Sequence, residues 1–376
     1  MKRKDHFEID VKLILAVFGI LILILLIGLI SFNFINNPPK HEVVANSPQL
    51  RAQVIMVNDC ADCFDTEKIL AEIQSKGYNI TIREYFDISS SEGKALASKY
   101  DISKVPSILI FGNTSSLENY WQTYGEKRQD ALVLSKQKPV YLELSSGNYI
   151  GRVKATVILA QSCKECGNLS GFLNELEEAG VVFVNKTEIG DTTAISLINK
   201  YNISVLPAAI LSPEAQAYDF LVSSWQNAGT IENDGFLVLR SSDFPYYDVN
   251  KRKVRGLVLV TVLNDSSCSE CYDASVHSEI LQNPQGLNMK VSSTKEIDIS
   301  SSEGKSLLKK YSITKVPTVI ISGDADLYPT LSQIWPQVGT RESDGAYVFR
   351  ALELMDGAVY RDLLTNESKK GVAPAN

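Results

Sequence analysis

The chain has little histidine, no cluster of basic residues, and no cysteine outside three short pairs. Only His6, His41 and His277 occur in 376 residues. Each cysteine pair offers two ligands, so a zinc ion would lack its remaining donors, while a two-coordinate copper(I) site stays open on ligand chemistry alone. No Lys/Arg run is long enough to neutralise a row of phosphates, and a net charge of −7 with an isoelectric point near 5.2 argues against nucleic acid as a partner. Hydrophobic residues make up 44% and charged residues 22%, which excludes a disordered chain and suits two or three globular domains.

Charge is missing altogether from Leu13 to Phe32, "LILAVFGILILILLIGLISF". At ~1.5 Å per residue such a helix is roughly 30 Å long, the thickness of a bilayer core. A cleaved signal peptide would carry a shorter apolar part followed by a small-residue cleavage site, whereas this run ends in "NFINNPPK". The expectation is one transmembrane helix over residues 13–32. Lys2, Arg3, Lys4 and Lys12 precede it and only Lys40 follows closely, so residues 1–12 are expected in the cytoplasm and the bulk of the chain outside the cell membrane. Residues 33–49 read as a polar, Pro-containing linker.

Beyond the linker the sequence repeats three times. "DISSSEGKALASKYDISKVP" (Asp87–Pro106) and "DISSSEGKSLLKKYSITKVP" (Asp298–Pro317) align without a gap, and "EIGDTTAISLINKYNISVLP" (Glu188–Pro207) follows more loosely. Trp121, Gly125 and Asp130 recur with the same spacing as Trp225, Gly229, Asp234 and Trp335, Gly339, Asp344. The cysteines fall in "DCADC" (Cys60, Cys63), "SCKEC" (Cys163, Cys166) and "SCSEC" (Cys268, Cys271). A period of this length suits a domain with its own core rather than a solenoid repeat. Three domains are therefore expected, at residues 50–152, 153–254 and 255–360, with residues 361–376 as a flexible tail.

Within each unit a short apolar run such as "QVIMVN" reads as a buried central strand. The cysteine pair follows, at the expected opening of a helix whose Phe64, Ile69, Leu70 and Ile73 share one face and which Gly77 closes. An alternating strand, a second helix capped by the serine run, a proline-led strand and a hairpin complete the unit, giving an α/β fold of mixed sheet and flanking helices. The recurring tryptophans read as packing residues and Ser89–Ser91 and Ser300–Ser302 as helix caps. Seven Asn-x-Ser/Thr sequons, at Asn79, Asn113, Asn168, Asn185, Asn202, Asn264 and Asn366, are compatible with an outside location.

A strand, a Cys-x-x-Cys at the mouth of a helix, a β–α connection and a Val-Pro or Leu-Pro downstream together resemble the thioredoxin-like superfamily, three times over. The tandem arrangement resembles protein disulfide isomerases more than single-domain thioredoxins. The resemblance implies that the prolines are cis, lie beside the cysteines and present neighbouring backbone to a substrate peptide. That role would fall to Val105 and Pro106, Leu206 and Pro207, and Val316 and Pro317.

A thiol at a helix N-terminus has a lowered pKa, which makes Cys60, Cys163 and Cys268 candidate nucleophiles. Cys63, Cys166 and Cys271, about one turn on, would resolve the mixed disulfide. This sequence departs from its relatives in lacking Pro or His between the cysteines, an aromatic before them, and a buried carboxylate in the lead-in strand. Asp62, Glu165 and Glu270 instead precede each second cysteine and either oppose thiolate formation or favour the helix start. The expected function is thiol–disulfide exchange on secreted or surface proteins, needing no cofactor or metal. Partners would be protein or peptide thiols and disulfides and a membrane redox partner. The alternative is a non-enzymatic adaptor or chaperone that binds extended peptides by strand addition, its cysteine pairs serving as structural staples.

Overall fold

The computed structural model describes residues 49–240 and 242–372. The membrane span expected at residues 13–32 lies outside those residues, as does nearly all of the linker. Among the described residues no helix is long and apolar enough to cross a membrane. The chain divides into two compact units, one formed by residues 49–59 and Asp65–Gln137, the other by Cys60–Phe64 and residues 138–372.

The first unit opens on β1 (Gln49–Met56), in which Ala52, Val54 and Ile55 are buried, as a strand covered on both faces requires. After it come α1 (Thr66–Ser75), β2 (Asn79–Asp87), α2 (Ser91–Lys99), β3 (Lys104–Val105) and β4 (Ser107–Gly112). A short helix α3 (Glu118–Trp121) leads into the hairpin β5 (Gly125–Arg128) and β6 (Ala131–Leu134). The α1 crossover makes β1 and β2 parallel, and β4 returns antiparallel to β1, giving the sheet order β2-β1-β4-β6-β5.

Local sequence explains both long helices of this unit. Ile69, Leu70 and Ile73 form the buried face of α1. The helix stops where the Gly77 N–H donates to the Gln74 carbonyl (2.9 Å) and the Tyr78 N–H to that of Ile73 (3.4 Å), with Gly77 at φ +90°. At the start of α2 the Ser90 hydroxyl accepts from the Gly93 N–H at 3.0 Å, as Ser301 does from Gly304 in the third repeat at 2.9 Å. A Cβ on Gly93 would lie 2.1 Å from the Asp87 carbonyl oxygen, so the "SEG" triplet is fixed by space.

The second unit contains the hairpin β7 (Tyr141–Glu143) and β8 (Asn148–Ile150), then two further copies of the same plan. The first copy comprises β9 (Arg152–Leu159), α4 (Ser170–Glu178), β10 (Val182–Gly190), α5 (Ile195–Lys200), β11 (Val205–Leu206), β12 (Ala208–Leu211), α6 (Asp219–Trp225), β13 (Gly229–Ile231) and β14 (Leu237–Leu239). Its sheet order is β10-β9-β12-β14-β13, and the hairpin β15 (Tyr246–Asp248) and β16 (Lys253–Arg255) pairs with β11. The second copy runs β17 (Leu257–Asn264), α7 (Val276–Gln282), β18 (Lys290–Asp298), α8 (Ser302–Lys310), β19 (Lys315–Val316), β20 (Thr318–Gly323), α9 (Pro329–Ile334), β21 (Gly339–Arg341) and β22 (Tyr347–Phe349). Its sheet order is β18-β17-β20-β22-β21, and the hairpin β23 (Val359–Asp362) and β24 (Glu367–Lys370) pairs with β19. The tail expected from residue 361 is thus corrected: the chain stays ordered through Lys370, because Asp362 receives the Lys369 ammonium at 2.6 Å and closes the last hairpin.

The repeated Trp, Gly and Asp now have distinct structural roles. The tryptophans are buried, and their indole N–H groups donate to the carbonyls of Val133, Thr230 and Thr340 at 3.1, 3.1 and 3.2 Å. The glycines pass under the neighbouring strand. Asp130, Asp234 and Asp344 accept from the hydroxyls of Tyr100, Tyr201 and Tyr311 at 2.8, 3.1 and 2.9 Å, tying the hairpin to the end of the second helix.

Candidate functional site

All six cysteines are paired within their own motifs, with Cα separations of 5.3 Å for Cys60–Cys63 and 5.4 Å for both Cys163–Cys166 and Cys268–Cys271. Each pair sits in the turn that follows the first strand of its repeat. The following helix begins only at Thr66, Ser170 and Val276, six, seven and eight residues beyond the first cysteine. This corrects the expectation that the pairs occupy helix mouths. Asp65, Asn168 and Asp273 explain the delay: each carboxylate or amide oxygen accepts from the backbone N–H two residues on, at 3.0, 3.1 and 2.9 Å, which turns the chain before the helix starts. A dipole effect confined to the first helical turn does not reach the first cysteine. Around the second pair a local contact takes its place, with the Cys166 N–H donating to Cys163 Sγ at 3.1 Å.

An aspartate at the end of the second strand, or directly after it, fixes each cysteine loop. Asp87, Asp191 and Asp298 accept from the N–H groups of Asn58, Gln161 and Ser266 at 3.0, 3.2 and 2.7 Å, and in every case that donor lies two residues before the first cysteine. Asp298 also accepts from the Ser300 N–H at 2.7 Å. Hydrogen bonds from Ser300 and Ser266 hold the Asp298 carboxyl far below its ordinary range. The contribution of Asp298 to loop order is therefore complete above its ordinary pKa of 3.8 and is lost as the pH falls below it. Asp298→Ala removes the same two bonds at any pH and is expected to cost roughly 1–2 kcal/mol locally. Hydrogen exchange at Ser266 and Ser300 should rise in this variant at pH 7, and in the wild type only under acid; protection unchanged in both would contradict the assignment.

Charge differs from site to site. At the first, Arg152 from β9 donates through Nε to Asp62 Oδ2 (2.8 Å) and through Nη2 to Asp62 Oδ1 (2.6 Å), and the same Nη2 stands 3.5 Å from Cys60 Sγ. The Arg152 hydrogen bonds hold the Asp62 carboxyl below its ordinary pKa, so of the two roles open to Asp62, opposition to the Cys60 thiolate is offset by a cation. At the second, Glu165 is exposed and Cys163 is buried at 8% exposure, among Ile158, Ala160 and Leu206. At the third, Asp265 is a buried carboxylate just ahead of Cys268, which the sequence reading had not found. Burial pushes its pKa up, but the Ser267 hydroxyl and the Arg361 guanidinium outweigh that and leave it lowered. His277, the only histidine among the described residues, is half-buried, with Nε2 3.3 Å from the Tyr272 hydroxyl, and loss of solvent around it pushes its pKa down.

The Val105–Pro106, Leu206–Pro207 and Val316–Pro317 bonds are all cis, and all three prolines are buried. In the second repeat Leu206 shares an apolar cluster with Cys163 and Cys166. In the third, Tyr272, which follows Cys271, donates its hydroxyl to the Pro317 carbonyl at 3.2 Å. In the first, the Pro106 carbonyl accepts from Gln137 Nε2 at 3.1 Å.

The neighbouring backbone is not open to a peptide in the second and third repeats. Leu206 is paired with Tyr247 of β15 and Val316 with Arg361 of β23, while the Tyr272 N–H donates to the Val359 carbonyl at 2.9 Å. The chain's own hairpin lies along the edge that the resemblance assigned to a substrate, and a strand-adding adaptor would have to displace it. A cavity of about 680 Å³ lies beside the second pair, lined in part by Glu165, Phe172, Pro207, Phe244, Lys290 and Tyr328. Among the described residues no three His, Cys, Asp or Glu side chains converge where a metal ion could sit.

No family model matches the sequence, and no curated protein matches it. Among solved structures, ERdj5 is 12% identical with a TM-score of 0.14, the match covering 81% of this chain and 38% of that one. Human ERp44 is 12% identical with a TM-score of 0.15, covering 78% of this chain and 86% of that one. A protein disulfide oxidoreductase from Aeropyrum pernix is 11% identical with a TM-score of 0.15, covering 47% of this chain and 80% of that one. This chain spans 38% of the length of ERdj5. The thioredoxin-like topology of the three repeats rests on their own strand order, on the cysteine pair after the first strand and on the cis proline before the third long strand.

Proposed function

We propose that this chain, with a closable dithiol on each of three thioredoxin-like sheets, exchanges disulfides with protein clients. The observation that carries the reading is that each Cys-x-x-Cys pair is close enough to bond within itself, in the turn that follows the first strand of its repeat. In the reduced protein, the thiolate of Cys60, Cys163 or Cys268 attacks a client disulfide. One client sulfur leaves as a thiolate and the other is held in a mixed disulfide. Cys63, Cys166 or Cys271 then attacks the motif sulfur, expels the second client thiol and closes the internal disulfide, so that two electrons pass to the client. Run in reverse, the oxidised motif takes two electrons from a client dithiol. Whether the protein works as oxidase, reductase or isomerase follows from its reduction potential against that of the client.

Residues 13–32 would tether this array to the cell membrane with the dithiols outside, raising their local concentration around a bound client. Support for the tether is the uncharged run and its basic N-terminal flank. Insulin reduction by the full chain, with dithiothreitol as terminal reductant, tests the exchange reading. Catalysed precipitation of the insulin B chain is expected, and a time course identical to that of dithiothreitol alone would rule it out. Protease protection in sealed vesicles reads out the orientation independently.

A further inference from the structure

Three sulfurs in equivalent places do not share one environment. Cys60 alone of the first cysteines has an arginine at hydrogen-bonding distance: Arg152 Nη2, at 3.5 Å. That guanidinium is fixed along one edge and on one face. Its Nε and Nη2 form a two-point pair with Asp62, and its plane lies over the Tyr149 ring with 3.9 Å from carbon to ring centroid. A guanidinium held in this way loses little freedom on meeting a new negative charge and cannot surrender its own. Arg152 and Asp62 are 29% and 30% exposed, so the charges are partly shielded from solvent.

We infer that Arg152 stabilises the Cys60 thiolate and makes the first dithiol the fastest of the three to attack a disulfide. The inference rests on Cys60 being the nucleophile of the exchange reaction. When an external thiol such as dithiothreitol opens the Cys60–Cys63 bond, two electrons enter and each sulfur is left either with a proton or with a negative charge. The guanidinium favours the charged state on Cys60 because the ion is drawn to a fixed N–H donor, while the neutral thiol gains little. Asp62 Oδ1 is 3.4 Å from the same sulfur and acts in the opposite sense. The pair therefore forms a balance that either partner's removal tips. Ionisable groups around this loop include Asp59, next to Cys60 in the chain, Asp65, two residues after Cys63, Tyr149 on the preceding hairpin, and Tyr218, which feels the Asp62 charge. At the second site no arginine among the described residues pairs with Glu165, and at the third Arg361 serves Asp265 and Ser267 rather than the sulfur.

The test uses the full chain with Cys63, Cys163, Cys166, Cys268 and Cys271 replaced by serine, so that Cys60 alone reacts with iodoacetamide. Alkylation rate is followed against pH. Arg152→Met is expected to raise the midpoint by about one pH unit and to slow alkylation at pH 7 several-fold. Arg152→Lys should recover part of the effect, Asp62→Asn should lower the midpoint, and the double variant Asp62→Asn, Arg152→Met should fall between the two single ones. Coincident profiles for all variants, or an Asp62→Asn midpoint that moves upward, would overturn the inference. Circular dichroism of each variant separates a charge effect from loss of fold. Alkylation needs no client, so an inactive protein with a shifted midpoint would sink the exchange function and the rate ranking that rests on it, while the Arg152–thiolate contact itself would stand.

Discussion

Serine at Cys60, Cys163 and Cys268 together is expected to return insulin reduction to the rate of dithiothreitol alone, even though the folded chain remains. The three resolving cysteines survive in that variant, but none can form the internal disulfide that releases a client, so each would stall after one attack. The single variants should not be equal. Cys60→Ser removes the sulfur that carries the arginine contact and should take the largest share of the activity. Cys163→Ser removes the thiol of a residue that is only 8% exposed and should take the smallest. Three equal losses would show that accessibility and charge at the sites are irrelevant to rate. Activity unchanged in the triple variant would end the enzymatic reading.

Gly339→Ala should be among the most damaging single substitutions outside the cysteines. A Cβ at this position would lie 2.2 Å from the Val348 carbonyl oxygen and 2.7 Å from Trp335 Nε1, both held rigidly in the hairpin and the core. Nothing there is the free end of a flexible side chain, so backbone must shift, at a cost of about 3 kcal/mol or more. Gly125 and Gly229 meet the same obstacle, at 1.9 Å from the Val133 oxygen and 2.2 Å from the Val238 oxygen. Gly171→Ala is the control: it lies in α4 with nothing within 4 Å of the added carbon, and should stabilise by roughly 0.5–1 kcal/mol. Urea unfolding followed by hydrogen exchange in β20 and β22 checks the contrast. Comparable midpoints for the two variants would refute the steric account.

Much of the fold was legible because it is written three times. The strand "QVIMVN", the face of Ile69, Leu70 and Ile73, the serine caps and the stop at Gly77 all follow local rules that hold without tertiary knowledge. The constant Trp, Gly and Asp spacing announced a structural unit, yet it did not say that the glycine makes room under a strand or that the aspartate receives a tyrosine hydroxyl. The helix start was misplaced because Asp65, Asn168 and Asp273 were not recognised as turn formers, although an Asp or Asn two residues after each second cysteine was a usable signal. Arg152 could not have been connected with Cys60, since their meeting depends on how β9 and the cysteine turn pack rather than on spacing. The runs "YYD" and "VYRD" are too short to show a strand period of their own, and their pairing with the pre-proline strands is a tertiary choice.

Those hairpins impose a kinetic ceiling. If a client must take the place of β15 or β23 beside Leu206 or Val316, capture at the second and third repeats waits for that ribbon to peel away, a first-order event independent of the client. Two chemically different clients, each raised to saturation, would then approach one common maximal velocity at these repeats. That velocity would rise when the ribbon is weakened and stay flat when the client is improved.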